Sequence, residues 1–208
     1  MADYTFYTNP MSRGQIARWA LHEAGADYDQ VIVEWKEKPA GFLDINPMGK
    51  VPTLVHHADS GDRVVTEAAA ICLYLAEMNP EAGLLPSETE MADYLRWTFF
   101  ASGPVEQAVM SRHFNSEPAP EQEMMAGWGS FERTMSTLEK HLEKRDWVCG
   151  ARFTMADVYV GSAVDWGLTF GTMPPRPAFV AYAERLQARD AYKAAKAVDN
   201  TLIAEMKK

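Results

Sequence analysis

The sequence predicts a mixed α/β domain followed by an all-helical one. Three observations carry this. β-rich runs alternate with helical stretches through about residue 79. A glycine- and proline-bearing segment at 81–86 then reads as a linker. Beyond it the pattern is helical, with no strand-like alternation. The expected domains are 1–79 and 84–208.

Tyr4–Thr8 is short, aromatic and Thr-rich, a first strand ended by Asn9-Pro10-Met11-Ser12. Residues 13–24 carry Ile16, Ala20 and Ala24 at helical spacing, and Gly25 stops the helix. Val31-Ile32-Val33 marks a second strand within 28–35, and 42–45 forms one helical turn. Runs 53–56 and 63–65 flank Asp59-Ser60-Gly61-Asp62, a hairpin signal. A helix over 66–78 ends at Asn79-Pro80. The alternating first part implies parallel pairing, and the hairpin implies an antiparallel edge.

In the second half, 88–113 reads as one long helix with Gly103-Pro104 inside it, so a kink is expected. A polar loop at 115–120 precedes a second long helix over 121–144, whose cationic end suits the helix dipole. Thr154-Met155-Ala156-Asp157 has the form of a capping box, a structural device that fixes a buried helix start. Pro174-Pro175-Arg176-Pro177 is a rigid connection into closing helices at 178–189 and 191–206.

Of the 208 residues, 47% are hydrophobic, ample for a buried core. The net charge of −9 and the absence of a Lys/Arg run argue against nucleic-acid or membrane binding. No secretory signal is visible, and no apolar run approaches the ~20 residues needed to span a bilayer. Cys72 and Cys149 are the only cysteines and form no Cys-x-x-Cys, which fits a cytoplasmic setting. Cys72, in an apolar helical stretch, reads as a small buried hydrophobe.

The chemistry concentrates at 46–54, Asn-Pro-Met-Gly-Lys-Val-Pro-Thr-Leu. Val51-Pro52 is a candidate cis step. A sharp turn at Pro52 leaves the N–H and C=O of Val51 facing outward, an edge to which an extended backbone can pair. Downstream, Thr66-Glu67-Ala68-Ala69-Ala70-Ile71 reads as an N-cap opening a helix whose free N–H groups suit an anion. Together they suit a small peptide with a terminal carboxylate.

These two stretches, in this order and in a chain of this length, resemble the glutathione-binding core of the cytosolic glutathione transferases, especially bacterial members. The resemblance runs nearly end to end. It implies a thioredoxin-like first domain, a helical second domain, a homodimer, and detoxifying transfer of glutathione to a small hydrophobic electrophile, with no metal. It implies that Val51, beside Pro52, pairs with the cysteinyl backbone of glutathione, and that Glu67 and Ala68 hold the γ-glutamyl end. The family commonly has Ser where Ala68 stands, so a hydroxyl contact is lost here. Lys50 is placed to approach the glycyl carboxylate; a solvated loop lysine is the plain alternative.

For the thiol-activating group, Ser12 stands ahead of Tyr7, with Asn9 third. A hydroxyl at Ser12 could point at the sulfur, or cap the first helix. Tyr7 ends the first strand, where some classes place a catalytic tyrosine, or packs under the sheet. The amide of Asn9 could donate to a thiolate, or serve the turn. No cysteine stands in 8–14, so the cysteine-type members are not matched. The second substrate is expected between the domains, where Met11, Trp35, Phe100, Met110, Phe114 and Trp166 are candidate lining residues. Two rival functions remain. One is a cysteine-independent glutathione peroxidase or disulfide reductase. The other is a non-enzymatic interaction protein like the stringent-starvation proteins.

Overall fold

The computed structural model describes residues 2–206. Its first half runs β1 (Tyr4–Thr8), α1 (Gly14–Ala24), β2 (Tyr28–Ile32), α2 (Phe42–Ile45), β3 (Thr53–Ala58), β4 (Gly61–Thr66) and α3 (Ala68–Met78). The strands form one sheet in the order β2-β1-β3-β4. β1 pairs parallel with β2, and β3 runs antiparallel to both β1 and β4. This is a thioredoxin-like mixed sheet. Along β1, Tyr4, Phe6 and Thr8 are buried while Thr5 and Tyr7 face the other side, the period of two that a pleated strand imposes. Phe6 and Leu54, fully buried, lie opposite one another in the β1–β3 ladder.

The register places the loops that matter. Tyr7 pairs with Thr53, Thr53 with Thr66, and Thr8 with Ile32. The chain leaving β1, the chain entering β3 and the chain leaving β4 therefore all emerge at one end of the sheet. Residues 9–13, 50–52 and 67–70 are brought together there by strand pairing alone.

The helical half runs α4 (Met91–Phe100), a π-helical turn (Ala101–Val105), α5 (Glu106–His113), α6 (Phe131–Leu142), α7 (Met155–Thr169), α8 (Pro177–Gln187) and α9 (Asp190–Met206). The expected helix over 88–113 starts at Met91. It accommodates Gly103-Pro104 through the π turn, because Pro104 has no N–H to give and its ring crowds the preceding turn. The expected helix over 121–144 is shorter: α6 begins only at Phe131. Gly129 sits at φ 71, and Ser130 caps the helix by accepting from the Arg133 N–H at 3.4 Å. Ahead of that break Met124 and Met125 are 95% and 90% exposed, so the apolar spacing there serves no buried face.

At the start of α7 the Thr154/Asp157 box is formed, with Thr154 N–H donating to Asp157 Oδ2 at 2.8 Å. Asp157 Oδ1 also accepts from the Val148 N–H at 2.7 Å and from the Tyr182 hydroxyl at 2.8 Å. Burial raises its carboxyl pKa to about 6, against the pull of these donors.

The chain divides into two compact units, one comprising Met1–Leu84 with Ala188–Lys208 and the other Leu85–Gln187. The first unit thus includes the closing segment as well as the sheet. The closing helix α9 packs on α1 of the first unit, through a buried Arg18–Asp199 ion pair at 2.8 Å and the edge of Trp19 against Tyr192 at 5.1 Å. The extreme positions 1 and 207–208 of the expected domains lie outside the described residues.

Candidate functional site

The loop entering β3 is built by Asn46. Its Nδ2 donates to the Lys50 carbonyl at 3.0 Å and to Thr53 Oγ1 at 2.9 Å, while its Oδ1 accepts from the Met48 N–H at 3.1 Å. Thr53 Oγ1 donates in turn to the same Lys50 carbonyl at 3.1 Å. One buried amide therefore braces the whole Pro-Met-Gly-Lys turn. Val51-Pro52 is cis. Among the described residues no hydrogen bond involves the N–H or C=O of Val51, which leaves a backbone edge available. Pro52 is buried, and Lys50 projects its side chain into solvent.

Helix α3 starts two residues later than expected. Thr66 remains in β4, and Glu67 is the N-cap, at φ 65 and ψ 117. A glutamate at positive φ is strained, and such residues gather at functional sites. Its carbonyl accepts the first helical bond, from Ile71 N–H at 2.9 Å. Its side chain caps nothing and is exposed. The N–H groups of Ala68, Ala69 and Ala70 have no partner among the described residues. A helix start thus carries several orphan donors and the positive end of the dipole beside an exposed carboxylate, a combination suited to a zwitterion.

The loop leaving β1 is tightly tied. Asn9, fully buried, donates from Nδ2 to the Val33 carbonyl at 3.0 Å and accepts at Oδ1 from the Met11 N–H at 2.9 Å. Its amide thus ties the turn to Val33, with one of its two N–H donors engaged. Ser12 Oγ donates to the Asn9 carbonyl at 2.6 Å and accepts from the Gly14 N–H at 2.9 Å. This half-buried hydroxyl serves the start of α1, the second of the two roles read from the sequence. Tyr7, half-buried, packs its ring on Phe42 of α2 at 5.2 Å.

The strand register thus brings Ser12, Val51, Pro52, Glu67 and Ala68 to one end of the sheet, with Lys50 at its margin, and turns the Asn9 side chain inward. Sequence reasoning missed Asn46, whose signal was an amide residue opening a proline turn, and the positive φ of Glu67. Neither cysteine belongs to the site. Burial pushes the Cys72 thiol well up and the Cys149 thiol up to about 12, so both are inert. Among the described residues no group of three or more His, Cys, Asp or Glu could hold a metal ion, and no helix is long and apolar enough to cross a membrane.

Comparison with known proteins agrees with the fold. A family model described as the glutathione S-transferase N-terminal domain matches residues 2–77, and one for the C-terminal domain matches residues 104–190. The chain is similar to the disulfide-bond oxidoreductase YfcG of Escherichia coli K12, 31% identical over 198 residues, covering 89% of this chain and 90% of that protein. It is similar to glutathione S-transferase GstA of Escherichia coli O157:H7, 28% identical over 152 residues, covering 70% and 73%. Among solved structures, a glutathione transferase from Methylococcus capsulatus superposes with a TM-score of 0.77 at 30% identity, covering 95% of this chain and 99% of that one. A sphingomonad glutathione S-transferase complexed with glutathione gives a TM-score of 0.73 at 30% identity, covering 94% and 98%.

Proposed function

The chain belongs to the glutathione S-transferase family, and on that premise we propose that it binds glutathione and directs its thiolate at a small hydrophobic electrophile. The observation that carries this reading is the gathering of an open Val51 edge, an unpartnered first turn of α3 and the Ser12 loop at one end of the sheet. In this reading the cysteinyl backbone of glutathione pairs with Val51 N–H and C=O. The γ-glutamyl carboxylate takes the N–H groups at Ala68 and Ala69, and its ammonium meets the Glu67 carboxylate. Lys50 meets the glycyl carboxylate from the exposed margin.

The thiol needs a donor to become a thiolate near neutral pH. Ser12 gives its proton to the Asn9 carbonyl in the free protein. A thiolate is the stronger acceptor, since a charge-assisted hydrogen bond is roughly twice as strong as a neutral one. The hydroxyl therefore turns to the sulfur when glutathione is bound, keeping the Gly14 N–H at its back. Tyr7 is the rival donor, held from that role by its packing on Phe42.

In the same reading the protein is a homodimer acting in the cytoplasm on toxic electrophiles. Met91, Leu95 and Phe99 lie at successive i, i+4 positions of α4 and are 42%, 41% and 63% exposed, an apolar stripe of the kind a second copy covers.

A second reading is glutathione-dependent disulfide reduction. It is favoured by the similarity to a protein named a disulfide-bond oxidoreductase, and by the burial of both cysteines. The exchange would then run between glutathione and substrate with no protein thiol. Turnover of chlorodinitrobenzene measured against turnover of a glutathione mixed disulfide separates the two. A faster reaction with the chloride supports transfer, and a faster one with the disulfide supports reduction. Calorimetry showing no glutathione binding at millimolar concentration contradicts both.

A further inference from the structure

We propose that α9 positions the Ser12 loop through a two-residue relay, from Lys196 to Gln15 to the Pro10 carbonyl, making Gln15 and Lys196 positioning residues for the thiolate. This rests on the reading that the Ser12 loop faces the glutathione thiol. Gln15 Nε2 donates to the Pro10 carbonyl at 2.6 Å, and Lys196 Nζ donates to Gln15 Oε1 at 2.7 Å.

The loop needs this support because of its composition. Pro10 has no N–H, so its carbonyl is the only backbone group by which hydrogen bonding can hold it. The other ties are local or at the edges. Ser12 Oγ takes the Asn9 carbonyl, Gln15 N–H takes the Ser12 carbonyl at 3.1 Å, and the Asn9 amide fastens the loop's start to Val33. Among the described residues, the Gln15 side chain is what grips the segment between Asn9 and Ser12 from the helix.

The chemistry of the relay dictates its direction. An ammonium only donates and a carbonyl only accepts, so the amide between them has one permitted orientation: oxygen to Lys196, NH2 to Pro10. Without the lysine the amide is free to turn, and its oxygen would then face the Pro10 carbonyl. The lysine is itself well placed. It shares a face of α9 with Tyr192, Ala195 and Asp199, and that face is held on α1 by the Arg18–Asp199 pair and the Trp19–Tyr192 contact; just ahead of α9, Arg189 pairs with Glu23 of α1 at 2.6 Å. The relay thus links Lys196 to Gln15 across 181 positions of sequence, and through Gln15 to the loop that carries Ser12.

The test measures thiolate absorbance of bound glutathione against pH, with kcat and KM for glutathione, in wild type, Ser12→Ala, Lys196→Met and Gln15→Met. Expected for Lys196→Met and Gln15→Met is a thiol pKa raised by about 0.5, in the direction of Ser12→Ala. A kcat lower by roughly three- to tenfold should accompany it, with little change in KM. Lys196→Arg should restore the wild-type values. Gln15→Met leaves every charge in place, so it separates loop positioning from the field of the ammonium. A shift with Lys196→Met and none with Gln15→Met overturns the relay. A shift with Ser12→Ala and none with either relay variant reduces Gln15 and Lys196 to packing. No shift with Ser12→Ala refutes the thiolate reading on which the relay stands. Where Gln15→Met lowers the thermal midpoint, Gln15→Asn replaces it, since that amide is too short to span Lys196 and Pro10; an unchanged thiol pKa in a well-folded Gln15→Asn overturns the relay equally.

Discussion

Two helix starts in this chain look alike in sequence and differ in every physical respect. Thr154-Met155-Ala156-Asp157 opens α7, and Thr66-Glu67-Ala68-Ala69 leads into α3. At α7 the cap is closed: Asp157 is fully buried and accepts from Thr154, Val148 and Tyr182. At α3 the cap is open: Glu67 sits at φ 65 with its carboxylate in solvent, and three N–H groups behind it lack partners among the described residues. Buried polar groups in a stable fold are satisfied, as at α7; the start of α3 is open at the surface and held in a strained conformation, and it is there that we propose glutathione binds. The difference predicts that damage at α7 is read in stability and damage at α3 in binding.

The largest effect should come from Asp157→Ala. It strands several buried donors at once, and we expect a loss of about 3 kcal/mol or more in unfolding free energy by urea denaturation. Glutathione affinity of the molecules that remain folded should be unchanged. The same residue gives a pH signature. Its folded pKa, about 6, lies above the unfolded value, so its proton is held more tightly in the fold. Its contribution is full below the unfolded value of 3.8 and is lost as pH rises through about 6. The stability difference between wild type and Asp157→Asn, which cannot titrate there, should therefore move against wild type between pH 4 and 7. A difference flat with pH would show that the donors around the carboxylate offset its burial.

Next in size is Glu67. Glu67→Ala should weaken glutathione binding by about tenfold or more, the loss of one charge-assisted hydrogen bond, measured by calorimetry. Glu67→Gly sharpens the contrast with α7. It should weaken binding equally while raising stability by up to about 1 kcal/mol, because glycine accepts the positive φ. A variant that binds worse and melts later is the mark of strain kept for function. Equal binding in a well-folded Glu67→Ala would place the ligand elsewhere.

Smaller shifts are expected at the thiol. Ser12→Ala should raise the pKa of bound glutathione and lower turnover, while Tyr7→Phe should do less, since the Tyr7 ring is engaged with Phe42. The reverse order in thiolate absorbance against pH would move the donor role to Tyr7.

What was legible in the sequence was local. Proline, glycine and alternating apolar residues act over a few positions, and the strands, the hairpin, the 46–54 turn and the 154–157 box are all of that kind. What was not legible depended on groups meeting in space. The apolar spacing over 121–130 looked helical, yet Gly129 at positive φ and Ser130 as a cap delay α6 to Phe131. Nothing in Thr66-Glu67 announces which of the two takes the cap, since that is decided by how far the β3–β4 ladder runs. The Asn46 brace and the Lys196–Gln15–Pro10 contacts need a folded chain before their partners exist. The same holds for α9, whose amphipathic face does not say which unit it will cover.

Titration of the isotope-labelled protein with glutathione, followed through backbone amide resonances, tests the central contrast most directly. The N–H signals of Val51, Ala68 and Ala69 should shift strongly and saturate together, while those of Val148 and Thr154, already committed to Asp157, should stay in place. Shifts that spare Val51 and Ala68, or that fall instead around Asp157, would contradict the assignment of the open helix start as the glutathione site.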